Sequence, residues 1–138
     1  MRLVVDSNVI ISALIKRSKT LELIFDDELE LFVPEFVFEE IEHHIEYISR
    51  RSNLSKEELA LFLNSIKPKI TIVPAEEFMQ HLKEAAETSP DSGDIPYFAL
   101  CKRLDVALWS NDKWLKRQTK MTVLSTKEVV SLLSKTKR

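Results

Sequence analysis

The sequence contains a single glycine, Gly93, in 138 residues. Loops that cradle dinucleotides or nucleoside triphosphates need several glycines, because the backbone must approach the phosphates closely. One glycine excludes both kinds of loop, and with them hydride transfer on a dinucleotide cofactor and phosphoryl transfer from a phosphate loop. Cysteine is equally scarce. Cys101 alone cannot close an internal disulfide, and its place in the run Phe98-Ala99-Leu100-Cys101 reads as a buried small hydrophobe. No stretch approaches the ~20 apolar residues that a membrane span needs. The chain reads as strand from its first residues, without a basic leader, so the expectation is a cytoplasmic protein with no membrane part.

What is present is an ordinary globular composition, 44% apolar and 30% charged, which argues against disorder. A chain of this length buries roughly two-thirds of its unfolded surface, enough for one core. With no repeat, low-complexity tract or linker, residues 1–138 read as a single domain. The net charge of −2 hides an asymmetry. Residues 1–101 hold ten Lys and Arg against nineteen Asp and Glu, whereas residues 102–138 hold ten against three. The basic end is either a phosphate-binding surface or a solvated lysine-rich helix face.

Short β-branched and apolar runs alternate with helical patterns. Strands are expected at Arg2–Asp6, Leu29–Val33, Ile70–Val73, Val106–Ser110 and Thr122–Leu124. Helices are expected at Asn8–Lys16, Leu21–Asp26, Glu35–Arg50, Ser55–Ile66, Ala75–Glu87, Asp94–Leu104 and Thr126–Ser134. Ser55 with Glu58 three residues later is a capping-box signature. Alternation of this kind predicts a three-layer α/β/α sandwich around a parallel sheet of about five strands.

Ligands bind such sheets beyond the carboxyl ends of the strands. Asp6 closes the first strand and Asp112 follows the strand ending at Ser110, so both carboxylates are expected on one rim. Asp94 follows Gly93, for which a left-handed conformation is expected, and precedes Ile95-Pro96 at a helix start. Helix capping alone would explain each aspartate singly. Glu39 and Glu40 compete as a fourth acid. At about 100° per residue, Val37, Ile41, His44 and Ile48 define an apolar face; Glu39 lies nearly opposite and Glu40 about 80° from its centre. Phase favours Glu40. His44 reads as a core histidine, and adjacent His43 and His44 point too far apart to share a metal. Trp109 reads as core and Trp114 as partly exposed.

Four segments together resemble the prokaryotic PIN-domain family. They are Val4-Val5-Asp6-Ser7-Asn8-Val9-Ile10, Pro34 with Glu40-Ile41 six residues on, Asp94-Ile-Pro96-Tyr-Phe-Ala-Leu100, and Ser110-Asn-Asp112-Lys113. The resemblance runs from residue 2 to about residue 125. It implies a five-stranded parallel sheet, Mg²⁺- or Mn²⁺-dependent cleavage of RNA, frequent pairing of a toxin with an antitoxin, and homodimers. Two departures stand out. Family members usually carry threonine and glycine before the last acid, where this chain has Ser110 and Asn111. Asp91 lies near a position that is often acidic in the family.

Clustered carboxylates repel one another unless cations sit among them, and hard oxygen ligands suit Mg²⁺ or Mn²⁺. Two such ions about 4 Å apart can activate a water and stabilise the leaving oxygen of a phosphodiester. The catalytic and metal-binding expectation is therefore Asp6, Glu40, Asp94 and Asp112, with Asp6 and Asp94 as principal ligands. Ser7, Asn8, Ser110 and Asp91 would support them. Lys113, Lys116 and Arg117 would contact the RNA backbone. A catalytically weak PIN-like module acting through protein or RNA binding is the alternative, and a DNA-cleaving nuclease stays open. A phosphoacceptor receiver domain fails, because the third strand ends in Ile72-Val73-Pro74, not in aspartate.

Overall fold

The computed structural model describes residues 1–137; Arg138, the last residue of the expected domain, lies outside the described residues. Five strands form one sheet: β1 (Arg2–Val5), β2 (Glu30–Pro34), β3 (Ile70–Val73), β4 (Ala107–Trp109) and β5 (Val123–Leu124). Their order is β3-β2-β1-β4-β5, and every neighbouring pair is parallel. β1 sits at the centre because its residues suit burial on both faces: Leu3, Val4 and Val5 are all in the core. The chain leaves β1 for β2 on one side and later returns to β4 on the other, which makes the end of β1 a topological switch point.

Helices cover both faces. α1 (Ser7–Ile15) packs with α2 (Lys19–Ile24), α3 (Val37–His43) and α4 (Ile45–Ser52), and α5 (Lys56–Ile66) leans on α4. Across the sheet, α7 (Ile95–Leu104) lies against β1, β2 and β4 and carries α6 (Leu82–Thr88) on its outer side. α8 (Thr126–Thr136) closes the chain beside β5. The capping box expected at Ser55 and Glu58 forms, and Ser125 with Glu128 builds a second one for α8. No helix among the described residues is long and apolar enough to cross a membrane.

Three local expectations need correction. The long helix expected over Glu35–Arg50 is two helices, broken where His44 leaves helical geometry at φ −101° and ψ 15°. The break resets the phase, so Val37, Ile41 and Ile48 are buried as expected but His44 is exposed, not in the core. The helix expected from Ala75 begins as two 3₁₀ turns and becomes α-helical only at Leu82. Gly93 does not take a left-handed conformation. It lies in the 3₁₀ turn Ser92–Asp94, held by its N–H donating to Asp91 Oδ1 at 3.1 Å. The positive-φ positions are instead Asn53 and Asp105, each ending a helix. Cys101 is fully buried, and burial pushes its thiol well above the usual range, as expected of an inert small hydrophobe.

Candidate active site

The rim at the end of β1 is built from the ends of several elements. Asp6 leaves β1 and donates its backbone N–H to Trp109 O at 3.0 Å, which extends the β1–β4 ladder by one bond. Its carboxylate is 5% exposed and doubly held. Oδ1 accepts the Asn8 N–H at 3.1 Å, capping α1, and Oδ2 accepts the Ser110 hydroxyl at 2.7 Å. Burial raises the Asp6 carboxyl above its ordinary range; the bonds from Ser110 and Asn8 lower it, and the charge of Asp112 raises it again.

Asp112 lies one turn beyond β4 and is exposed. Its own N–H donates to Ser110 Oγ at 3.2 Å, so a single hydroxyl links both aspartates. Asp112 Oδ1 accepts the Trp114 N–H at 2.9 Å, closing an Asx turn. Asp6, Asn8, Val9, Ser12, Asn111 and Asp112 line an open cleft of about 320 Å³. A larger hollow of about 510 Å³ opens at the other end of β4, where Lys102 pairs with Glu84 at 3.2 Å. It is remote from the aspartates.

Asp94 precedes α7 but makes no side-chain cap bond. Helix capping therefore does not account for this acid. Its carboxyl is half-buried and pushed up to about 6, first by burial and then by the charges of Asp6, Asp91, Asp112 and Glu40. Glu40 is half-buried on α3 and accepts the Ser7 hydroxyl at 3.5 Å, whereas Glu39 is exposed. Asp91 caps its own turn through Gly93 and adds to the field on Asp94.

Tyr97 was not singled out from the sequence. Its hydroxyl accepts the buried Ser7 N–H at 3.1 Å, and burial pushes its phenol above the usual range. Phe36 meets its ring edge-on, with centroids 5.8 Å apart. Tyr97 thereby holds the turn between Asp6 and Asn8 from the opposite layer. A tyrosine inside the apolar run of α7 reads as core, and only the fold reveals the bond.

The Asn111 departure has a structural explanation. Its amide donates to Thr126 Oγ1 at 2.9 Å and its carbonyl oxygen accepts the Thr126 N–H at 2.8 Å. The same Thr126 hydroxyl accepts the Trp109 indole N–H at 3.0 Å. The loop carrying Asp112 is thus clamped to the start of α8. Of the expected RNA contacts, Lys113, Lys116 and Arg117 are all exposed. Lys116 already pairs with Glu128, and the Arg117 guanidinium stands 4.7 Å over the Trp114 ring.

The carboxylates form a loose group. Among the described residues, no three His, Cys, Asp or Glu side chains are close enough to form a ready coordination site. The donor set nevertheless fits a hard divalent ion: it is all oxygen, and like charges raise Asp94, which a cation would relieve. Asp6, Glu40, Asp94 and Asp112 are the residues that would hold such an ion.

The sequence profile described as PIN domain matches residues 4–132 of the chain. Among solved structures, VapBC2 from Rickettsia felis bound to a DNA fragment from their promoter matches with a TM-score of 0.66 at 15% identity. That match covers 91% of this chain and 98% of the other. PAE2754 from Pyrobaculum aerophilum matches with a TM-score of 0.67 at 12% identity, over 98% of this chain and 90% of that one. Among curated proteins no sequence matches.

Proposed function

Because the chain belongs to the PIN-domain family, we propose that it is a single-domain, cytoplasmic, Mg²⁺- or Mn²⁺-dependent ribonuclease, the toxin of a toxin–antitoxin pair. The observation that supports this reading is the sharing of the Ser110 hydroxyl by Asp6 and Asp112 over an open cleft, with Asp94 and Glu40 close enough for their charges to interact. The bound metal would supply an activated water and neutralise charge on the leaving oxygen. The protein's own residues do the positioning. Ser110 fixes the Asp6 carboxylate, Tyr97 fixes the Ser7 backbone, Ser7 reaches Glu40, and the Trp114 N–H sets the orientation of Asp112. Asp94, free of any capping bond, is available to the ion. Asn8 lines the cleft where a scissile phosphate would lie. Lys113 and Arg117, exposed just beyond Asp112 in sequence, would contact the backbone, and each phosphate contact adds about 0.7 to the salt slope on a single strand.

The test is cleavage of labelled single-stranded RNA with and without Mn²⁺. Wild type is expected to leave 5′-phosphate and 3′-hydroxyl ends, and Asp6→Asn to lose at least two orders of magnitude in rate. Full Mn²⁺-dependent cleavage by Asp6→Asn would overturn the assignment.

The separation of the acids favours a second reading, a catalytically weak module that binds RNA or protein. It predicts RNA binding without cleavage in the same assay. The proposed protein partners, a cognate antitoxin and a second copy of the chain, have an apolar groove of about 530 Å³ available. Phe25, Leu54, Phe62 and Leu61 line it, the last 72% exposed. Leu59, Leu63 and Ile66 of the same helix are buried inside the fold and are not part of that surface.

A further inference from the structure

Two tryptophans flank the loop after β4 and are treated oppositely. Trp109 is fully buried, with its indole N–H bonded to Thr126. Trp114 is 55% exposed, yet its position is fixed. Its backbone N–H donates to Asp112 Oδ1 at 2.9 Å, and the Arg117 guanidinium stands 4.7 Å over its ring. The next residue, Leu115, begins the 3₁₀ turn Leu115–Arg117 and is 1% exposed, which anchors this segment of backbone in the core. An exposed aromatic ring stacked with a guanidinium, on a backbone tied by one hydrogen bond to a site carboxylate, is a preformed surface, not a loose side chain. Lys113 and Lys120 are exposed within six residues of it, so its surroundings favour a polyanion.

We propose that Trp114, backed by Arg117, is a stacking platform for one unpaired nucleotide of the RNA, immediately beside the cleft that Asp112 lines. The proposal rests on the ribonuclease reading and assigns Trp114 a role in holding the substrate. Every base has a π face, so such a platform is tolerant of sequence, and bases inside a duplex are already stacked and cannot reach it. The base lies on the indole while its phosphates face Lys113 and Arg117. Stacking of this kind changes affinity about 5- to 150-fold per base when the aromatic ring is removed.

The buried Trp109 indole is out of reach of a stacking base, so ligand-induced quenching that Trp114→Phe abolishes belongs to Trp114. Asp94→Asn protein, free of divalent cations, is titrated with a single-stranded oligoribonucleotide and separately with a self-complementary duplex. Saturable quenching is expected with the single strand and little with the duplex. In the Mn²⁺ cleavage assay, Trp114→Ala is expected to raise KM about 5- to 150-fold with kcat within a few-fold of wild type, and Trp114→Phe to recover most of the loss. Binding of the single strand by anisotropy without quenching would overturn the platform. So would a Trp114→Ala variant with unchanged KM, or emission that varies only with protein concentration, which would indicate self-association. Quenching without any cleavage would overturn the ribonuclease reading and leave the platform standing; cleavage without quenching would do the reverse. If Trp114→Ala fails to fold, the emission titration of Asp94→Asn protein with and without Trp114→Phe still decides.

Discussion

The Ser110 hydroxyl donates to Asp6 Oδ2 at 2.7 Å across 104 positions of sequence, and the same oxygen accepts the Asp112 N–H. One buried side chain therefore sets two of the four acids. Removing it leaves the buried Asp6 carboxylate short of a donor, at a cost of about 1–3 kcal/mol. Ser110→Ala is expected to lower the melting temperature and, by loosening Asp6, to cut kcat for RNA cleavage at least tenfold. Ser110→Thr keeps the hydroxyl and should restore most of both. Unchanged kcat in a folded Ser110→Ala protein would remove Ser110 from the site.

Asp94 yields a pH prediction whose sign can be worked out. Its carboxyl is raised from an ordinary value of 3.8 to about 6, so between those values the native state holds a proton that the unfolded chain has released. Metal-free stability contributed by this group is present at low pH and falls as pH rises from about 4 to about 6, then levels off. Asp94→Asn is expected to melt higher than wild type at pH 7–8 and to match it near pH 4. Addition of Mn²⁺ at pH 7.5 should raise the melting temperature of wild type more than that of Asp94→Asn. Thermal melts across pH, with and without Mn²⁺, check both statements.

Tyr97 supplies the acceptor for the Ser7 N–H at a position where water does not reach. Tyr97→Phe keeps the ring and its edge contact with Phe36 but strands that N–H. The expected cost is about 1–3 kcal/mol in urea unfolding. Because Ser7 also donates to Glu40, cleavage should fall alongside stability. A variant as stable as wild type would mean that the backbone N–H finds another partner.

Asn111 is a structural clamp in this reading, and its replacement separates stability from chemistry. Asn111→Gly removes two bonds to Thr126 and adds backbone freedom to the loop. A loss of about 1–3 kcal/mol in unfolding free energy is expected. Cleavage at a temperature where the variant remains folded should stay within a few-fold of wild type. A hundredfold loss there would make Asn111 part of the working site.

The sheet was legible because its strands are short β-branched and apolar runs, those of β1 and β2 almost wholly buried, bounded by Pro34, Pro74 and acidic turns. Helical phase separated Glu40 from Glu39, and the structure places the first half-buried against Ser7 and the second in water. The same phase failed four residues after Glu40, at His44, since neither glycine nor proline marks the break between α3 and α4. Tyr97 was illegible for a related reason: its function depends on an N–H 90 positions away. Capping explained Asp6 and Asp112 in part, but the structure denies it to Asp94, a distinction that needed coordinates.

The strand order β3-β2-β1-β4-β5 also has a meaning in time. The ribosome releases Asp6 and Glu40 early, while Asp94, Ser110 and Asp112 belong to the part of the chain made last. Until β4 docks beside β1, Asp6 has neither its hydroxyl donor nor its neighbouring acid. An unfinished chain, surrounded by RNA while still attached to its own message, carries the first acids of the cluster without the rest. On the ribonuclease reading proposed above, the threading of the sheet withholds a complete acid cluster until the transcript has been read almost to its end.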